Sequence, residues 1–250
     1  MAMTPFELRI RLLTPMEVGR FSVRLDGLLW HALYLHLGCP IAAQEALGDY
    51  LEPVENAAGQ RYYKASSMVF GLVGKINTGK KEVVESLLAL TRAKVGVMRD
   101  GSDLSPEKFK PNSANGKRYT RVITFGGVYK NRLDKNPAYF ASHVVFHGVG
   151  KGQEIAELIE FYVGAIGINS NSGSGTIGEV TAFTTHKDYS LVDQFGFPAR
   201  PLPVSDYVPA DGVNVAVEPC ILTPPFREQE FHSCYIPERI RKIQLSSLGV

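Results

Sequence analysis

The segment QEIAELIEFYVGAIG (Gln153 to Gly167) runs directly into INSNSGSGTIGEV (Ile168 to Val180), and no other junction constrains the fold of this chain as much. Ile155, Leu158, Ile159, Tyr162 and Val163 recur at the spacing of one helix face, and TIGEVTAFTTH (Thr176 to His186) reads as a strand. Between them stand Gly167, Asn169, Ser170, Asn171, Ser172, Gly173, Ser174 and Gly175. An ordinary connection needs only a few residues. Either this one is slack, or its backbone comes close to something. Glycine reaches backbone angles closed to other residues, and Ser and Asn add groups that hydrogen-bond phosphate or ribose. A dinucleotide fold places its Gly-rich turn between a strand and a following helix. The order is reversed here, which argues against NAD or FAD, and no cofactor is expected.

Other segments supply the surrounding elements. FELRIRLL (Phe6 to Leu13) alternates apolar and polar residues, the pattern of a half-buried strand. LDGLLWHALYLHLG (Leu25 to Gly38) carries an apolar helical stripe at Leu28, Leu29, Ala32, Leu33 and Leu35, with Asp26 suited to its start and Gly38 to its stop. Tyr62 to Gly74 looks strand-rich, Lys80 to Lys94 reads as an amphipathic helix, Tyr119 to Tyr129 is strand-like, and Ala138 to Gly148 is a strand. The order is therefore strand, helix, inserted middle, strand, helix, Gly-rich loop, strand. With one strand taken from the middle this is the split βαβ pattern: an α+β, ferredoxin-like βαββαβ domain. Residues 1–190 form that domain, with an insertion at about 39–137, and 191–250 form an extended Pro-rich C-terminal tail packing on it.

At 250 residues, the chain has ample apolar content for a core. No window approaches about 18 consecutive apolar residues, so no membrane partner is expected. MAMTPFELRIRLL lacks the ordered charged, apolar and cleavable parts of a signal peptide. Cys39, Cys220 and Cys234 are odd in number and form no CxxC pair, which fits a reducing compartment better than a disulfide scaffold or a zinc site. The expectation is a cytoplasmic, soluble protein without a metal.

The net charge of +2 is uninformative until its distribution is followed. Lys108, Lys110, Lys117, Arg118, Arg121, Lys130, Arg132 and Lys135 share a stretch with one acid, Asp134. Phe109, Tyr119, Phe125 and Tyr129 are interleaved with them. Cations that neutralise phosphates beside rings that stack bases suit single-stranded nucleic acid. A solvated hairpin balanced by acids elsewhere gives the same composition.

Catalytic motifs are sparse. GKINTGKK (Gly74 to Lys81) matches GxxxxGK, but Lys81 occupies the place of the Mg²⁺-binding hydroxyl. Lys75, Lys80 and Lys81 remain phosphate contacts at most. No GxSxG or HExxH occurs, and the six histidines form no zinc set with the cysteines. His31, beside Trp30 in the first helix, reads as a structural residue or as a general base for RNA cleavage.

Element order, LDGLLWHALY in the first helix and IGINSNSGSGTIGEV after the second together resemble the RAMP superfamily of CRISPR-associated RNA-binding proteins, a group of RRM-like ferredoxin folds. YYKASSMVF, the basic insert, ARPLP and CILTPPF look most like the RAMP subunit of type IV effectors, which caps the 5′ handle of the crRNA. The likeness runs from Phe6 to about Pro225. It implies a non-catalytic, RNA-binding role, with Gly167 to Gly175 against the crRNA backbone. The basic segment 108–135 would be a thumb: Lys108, Lys110, Lys117, Arg118, Arg121, Lys130 and Arg132 on phosphates, Tyr119 and Tyr129 stacking. Arg20 and Arg24 are further candidates. Backbone RAMP subunits and a large subunit are the implied neighbours, and target DNA near the protospacer-adjacent motif is a further contact left open for the insert. The family loop often carries Lys or Arg, whereas this one is uncharged, so its contacts would run through main chain and hydroxyls. Some RAMP relatives cleave the crRNA precursor without metal, commonly with a histidine near the first helix, and His31 keeps that alternative open.

Overall fold

Phe6, Leu8, Ile10 and Leu12 are buried while Glu7, Arg9 and Arg11 turn to the other side, so the alternation read in the sequence becomes the central strand of the molecule. The computed structural model describes residues 3–73, 76–77, 82–83, 85–95, 105, 124, 133–209, 214–226 and 230–245. In chain order the first elements are β1 (Thr4–Leu12), β2 (Met16–Glu17), α1 (Leu25–Leu37), α2 (Pro40–Tyr50), β3 (Pro53–Glu55), β4 (Arg61–Tyr63) and β5 (Val69–Val73). There follow β6 (Ile76–Asn77), β7 (Glu82–Val83), β8 (Leu88–Val95), β9 (Leu133–Phe140), β10 (His143–Gly150) and α3 (Gly152–Tyr162). The remainder holds β11 (Ile177–Thr184), β12 (Leu202–Pro203), β13 (Val217–Cys220), β14 (His232–Tyr235) and β15 (Lys242–Leu245). The class is α+β.

Residues 1–89 with 139–250 form one compact unit, and residues 90–138 a second. The first unit holds a five-stranded sheet in the order β11-β1-β10-β5-β15. β1 pairs antiparallel with β10, from Thr4 opposite Gly150 to Arg11 opposite His143. On its other side it pairs antiparallel with β11, and the register shifts between Ile10 and Leu12. β10 pairs antiparallel with β5, and β15 lies parallel to β5. The helices share one face of this sheet: α1 packs on α2 and α3, and α3 lies over β1 and β11. Leu8, Ile10, Val144, Phe146 and Phe70 from the strands meet Leu29, Leu33 and Ile159 from the helices in one core. In the second unit, β8 and β9 are neighbouring strands.

α1 starts and stops where its sequence indicates. Gly38 adopts φ 68° and returns its N–H to the Tyr34 carbonyl, a left-handed stop. α2 has no counterpart among the sequence expectations. Its signals are Pro40 at the first helical position and a two-residue buried stripe, Ala43 and Leu47.

Two expectations are corrected. The helix over Lys80 to Lys94 is not formed; Glu82–Val83 and Leu88–Val95 are strands. Leu88 and Leu90 also stand two apart, the spacing of one strand face. Pairing with β9 then supplies backbone partners that local propensity does not register. The helix expected through Gly167 ends at Tyr162, because Val163 is extended and Ala165 bridges Thr176.

The 191–250 segment is more than an extended tail. β12, β14 and β13 form a three-stranded sheet over a second small core of Tyr62, Leu202, Tyr207, Cys220, Leu222 and Cys234. Arg200 and Arg24 tie this layer to the start of α1. Arg200 donates to the carbonyls of Tyr63 and Leu222 and to Asp26, while Arg24 donates to Ile221 O, Leu222 O and Asp26.

Candidate nucleic-acid interface

The Gly-rich loop is a built surface rather than a slack connection. Its backbone comes close to β2 and the residues before it. The N–H of Ile168 donates to Glu17 O at 3.0 Å, and the N–H of Gly175 donates to Pro15 O at 3.0 Å. Asn169 Nδ2 donates to Glu17 Oε2 at 2.8 Å, and the Glu17 N–H donates to the buried Ser174 Oγ at 2.9 Å. Thr14 Oγ1 donates to Gly173 O at 3.0 Å and accepts from the Thr176 N–H at 2.9 Å. Gly175 sits at φ 62°, and a β-carbon there would lie 2.0 Å from the Ile166 carbonyl oxygen. Glycine is demanded by this contact and by the left-handed angle together. The loop is thereby held as a short 3-10 turn, Ser170–Ser172, entered at Asn169 with φ 57° and left at Gly173 with φ 78°. Asn171, Ser172 and Gly173 stand exposed at its tip, whereas Ser174 and Gly175 are buried.

Glu7, Arg9 and Arg11 of β1 lie on the side of the sheet away from the helices. Period two places Glu7 and Arg9 beside His147 on β10: Arg9 Nε lies 2.6 Å from Glu7 Oε1, and His147 Nε2 lies 3.4 Å from Glu7 Oε2. Burial pushes the Glu7 carboxyl up, but hydrogen bonds from His147 and Arg9 outweigh it and hold the group below the usual carboxylate range. The Arg9 guanidinium also covers the Phe183 ring at 4.6 Å. His143, further along β10, is pushed down by burial.

Facing these residues is the layer formed after Tyr189, and the cleft between them has a volume of about 1140 Å³. Arg9, Arg20, Arg239, Arg241 and Lys242 contribute to its lining together with phenylalanines from three separate loops. Arg20 is open to solvent, with a 3.4 Å ion pair to Glu218 and its guanidinium 5.2 Å from the Phe21 ring.

Only some of the candidate residues from the sequence fall among the described ones. Lys108, Lys110, Lys117, Arg118, Tyr119, Arg121, Tyr129, Lys130 and Arg132 lie outside the described residues, as do Lys75, Lys80 and Lys81. Gly167, Asn169, Ser170, Asn171, Ser172, Gly173, Ser174 and Gly175 share the loop just described. Arg20 reaches the cleft, but Arg24 is buried and directs its donors to the protein's own carbonyls and to Asp26. Burial lowers its pKa to about 10. His31 is exposed on α1. Sequence reasoning missed the cleft, although Phe195, Phe197, Phe226 and Phe231 in a polar, Pro-rich stretch are a signal that could have found it.

Among the described residues no group of three or more His, Cys, Asp and Glu side chains could hold a metal ion, and no helix is long and apolar enough to cross a membrane. Compared with models of known protein families and with curated protein sequences, the chain matches none.

Proposed function

We propose that this chain is an RNA-binding, non-catalytic subunit of a type IV CRISPR ribonucleoprotein that anchors the 5′ handle of the crRNA. The observation that carries the reading is the loop of 167–175, fixed to β2 between α3 and β11, an outer strand of the sheet. A preformed tip of amide and hydroxyl groups hydrogen-bonds a ribose-phosphate backbone at low ordering cost. The order β11-β1-β10-β5, antiparallel throughout, with α1 following β1 and α3 joining β10 to β11, supports a ferredoxin-like arrangement of the RAMP kind. The basic segment 108–135 supplies phosphate contacts in this reading, and backbone and large subunits of the complex are the protein partners.

The test uses purified protein with labelled repeat RNA in EDTA, following mobility shift and cleavage together. Binding without cleavage is expected, and Arg118→Ala should reduce the salt slope of affinity by about one unit per lost phosphate contact. A discrete cut that disappears in His31→Ala would replace this reading with a metal-independent processing endoribonuclease. An unchanged slope at every basic position would remove the RNA assignment.

A further inference from the structure

The geometry points to the cleft between the open sheet face and the C-terminal layer as the place where unstacked bases of single-stranded RNA are held. This rests on the RNA-binding reading above and assigns it a base-stacking site formed by residues other than those of the Gly-rich loop and the basic segment.

The first ground is where the rings are. Among the described residues six phenylalanines are classed as exposed, and five of them (Phe21, Phe195, Phe197, Phe226 and Phe231) line this one cleft. Each is between 41% and 68% exposed. They come from sequence positions far apart, so no single amphipathic segment explains their convergence. Isolated exposed rings are ordinary, but a converging set marks a surface built to be covered.

The second ground is charge. The Arg20 guanidinium lies 5.2 Å from the Phe21 ring, and Arg24 lies 4.0 Å from the Phe226 ring. Of the acids in the lining, Glu7 is set against Arg9, Asp193 against Arg241 and Glu218 against Arg20. Arg239 and Lys242 then outnumber the remaining acid, Glu238. Arg20 and Arg24 are themselves ion-paired, to Glu218 and Asp26, so the surplus lies with Arg239 and Lys242 in the same lining. Rings that share a cleft with surplus cations suit a ligand with flat apolar faces and a negative backbone, which describes single-stranded nucleic acid. An apolar peptide would use the rings but has no demand for the cations.

The third ground is size. The volume of about 1140 Å³ exceeds the ~300–1,000 Å³ typical of sites enclosing one small molecule. A run of a few nucleotides suits it better than one free nucleotide.

The experiment measures binding of a fluorescein-labelled oligouridylate to the full chain by anisotropy, for wild type, Phe195→Ala, Phe231→Ala and their double variant. These rings are exposed, so melting temperatures should match wild type. The expected loss of affinity is about 5- to 150-fold per ring, the range that stacking of one base is worth. Phe195→Tyr, which keeps the ring, should bind as wild type does. Ultraviolet crosslinking of a 4-thiouridine oligomer should label peptides that contain these phenylalanines. If wild type binds while the double variant binds equally well, or crosslinks avoid the cleft, the cleft assignment is overturned and the RNA-binding reading stands. If wild type binds no RNA, both are overturned. Capture of an apolar peptide that depends on Phe195 and Phe231, with RNA binding unaffected, would assign the cleft to a protein partner and overturn the proposal.

Discussion

Arg200 and Asp26 form an ion pair at 3.2 Å with both side chains fully buried, joining the C-terminal layer to the first turn of α1. Arg24 meets the other carboxylate oxygen of Asp26, also at 3.2 Å. One carboxylate therefore serves two arginines that also cap the carbonyls of Ile221, Leu222 and Tyr63. Removing one partner of a buried pair strands the other, at a cost of about 3–5 kcal/mol. Asp26→Ala should lose stability on that scale, seen as a lower urea midpoint. A change below about 0.5 kcal/mol, the size of an ordinary surface substitution, would show that the network is not structural.

Ser174→Ala removes the hydroxyl that accepts from the Glu17 N–H, and loss of this buried hydrogen bond should cost about 0.5–1.5 kcal/mol. The same variant should speed amide exchange at Glu17 and in the loop, while β10 keeps its protection. Uniform exchange across the sheet would argue against a locally held loop.

Gly175→Ala tests a stronger constraint. The left-handed angle alone costs roughly 1–2 kcal/mol in a non-glycine residue, and the new methyl group would also press on the Ile166 carbonyl. Thermal unfolding should register more than the angle penalty alone. If the variant melts like wild type, the loop has another accessible conformation.

Arg20→Ala should separate binding from stability. Its ion pair to Glu218 is solvent-exposed, so stability should change by no more than ~1 kcal/mol. RNA affinity should fall, with a salt slope shallower by about one unit. Equal affinity at all salt concentrations would remove Arg20 from the interface.

Alkaline pH should loosen the C-terminal layer. Burial pushes the Cys234 thiol up to about 12 and raises Cys220 as well. The folded state therefore holds protons that the unfolded chain releases from its ordinary value of 9.0. This contribution is complete below that pH and is lost as pH rises toward about 12. Cys220→Ala with Cys234→Ala should delay the alkaline decline until Tyr62, raised by burial and by its bond to Asp206, begins to titrate in the unfolded chain near its ordinary value of 10.0. The check is the urea midpoint measured across this range.

These constraints were unequally visible in the sequence. β1, α1, α3 and β11 were legible because each is governed by its own period: Phe6 to Leu12 at two, Leu28 to Leu33 and Ile155 to Ile159 at the helical spacing. Lys80 to Lys94 misled because its leucines satisfy both periods, and the deciding partner, β9, comes much later in the chain. The abundance of glycine at 167–175 marked a loop that was either slack or in close approach, without deciding which. What it approaches was not legible, since Pro15 and Glu17 lie far upstream. Likewise Arg24 reads as one more cation until Ile221, Leu222 and Asp26 are placed around it. The cleft was the least legible feature, because its rings converge only once β13, β14 and β15 are folded.

The position of β1 has a consequence for synthesis. It leaves the ribosome well before β10 and β11, yet it lies inside the sheet with these two as its neighbours. Until residue 184 has been translated and cleared the exit tunnel, at least one edge of this apolar strand lacks its partner. Nascent chains stalled earlier should recruit chaperones or aggregate, and release should coincide with the emergence of β11.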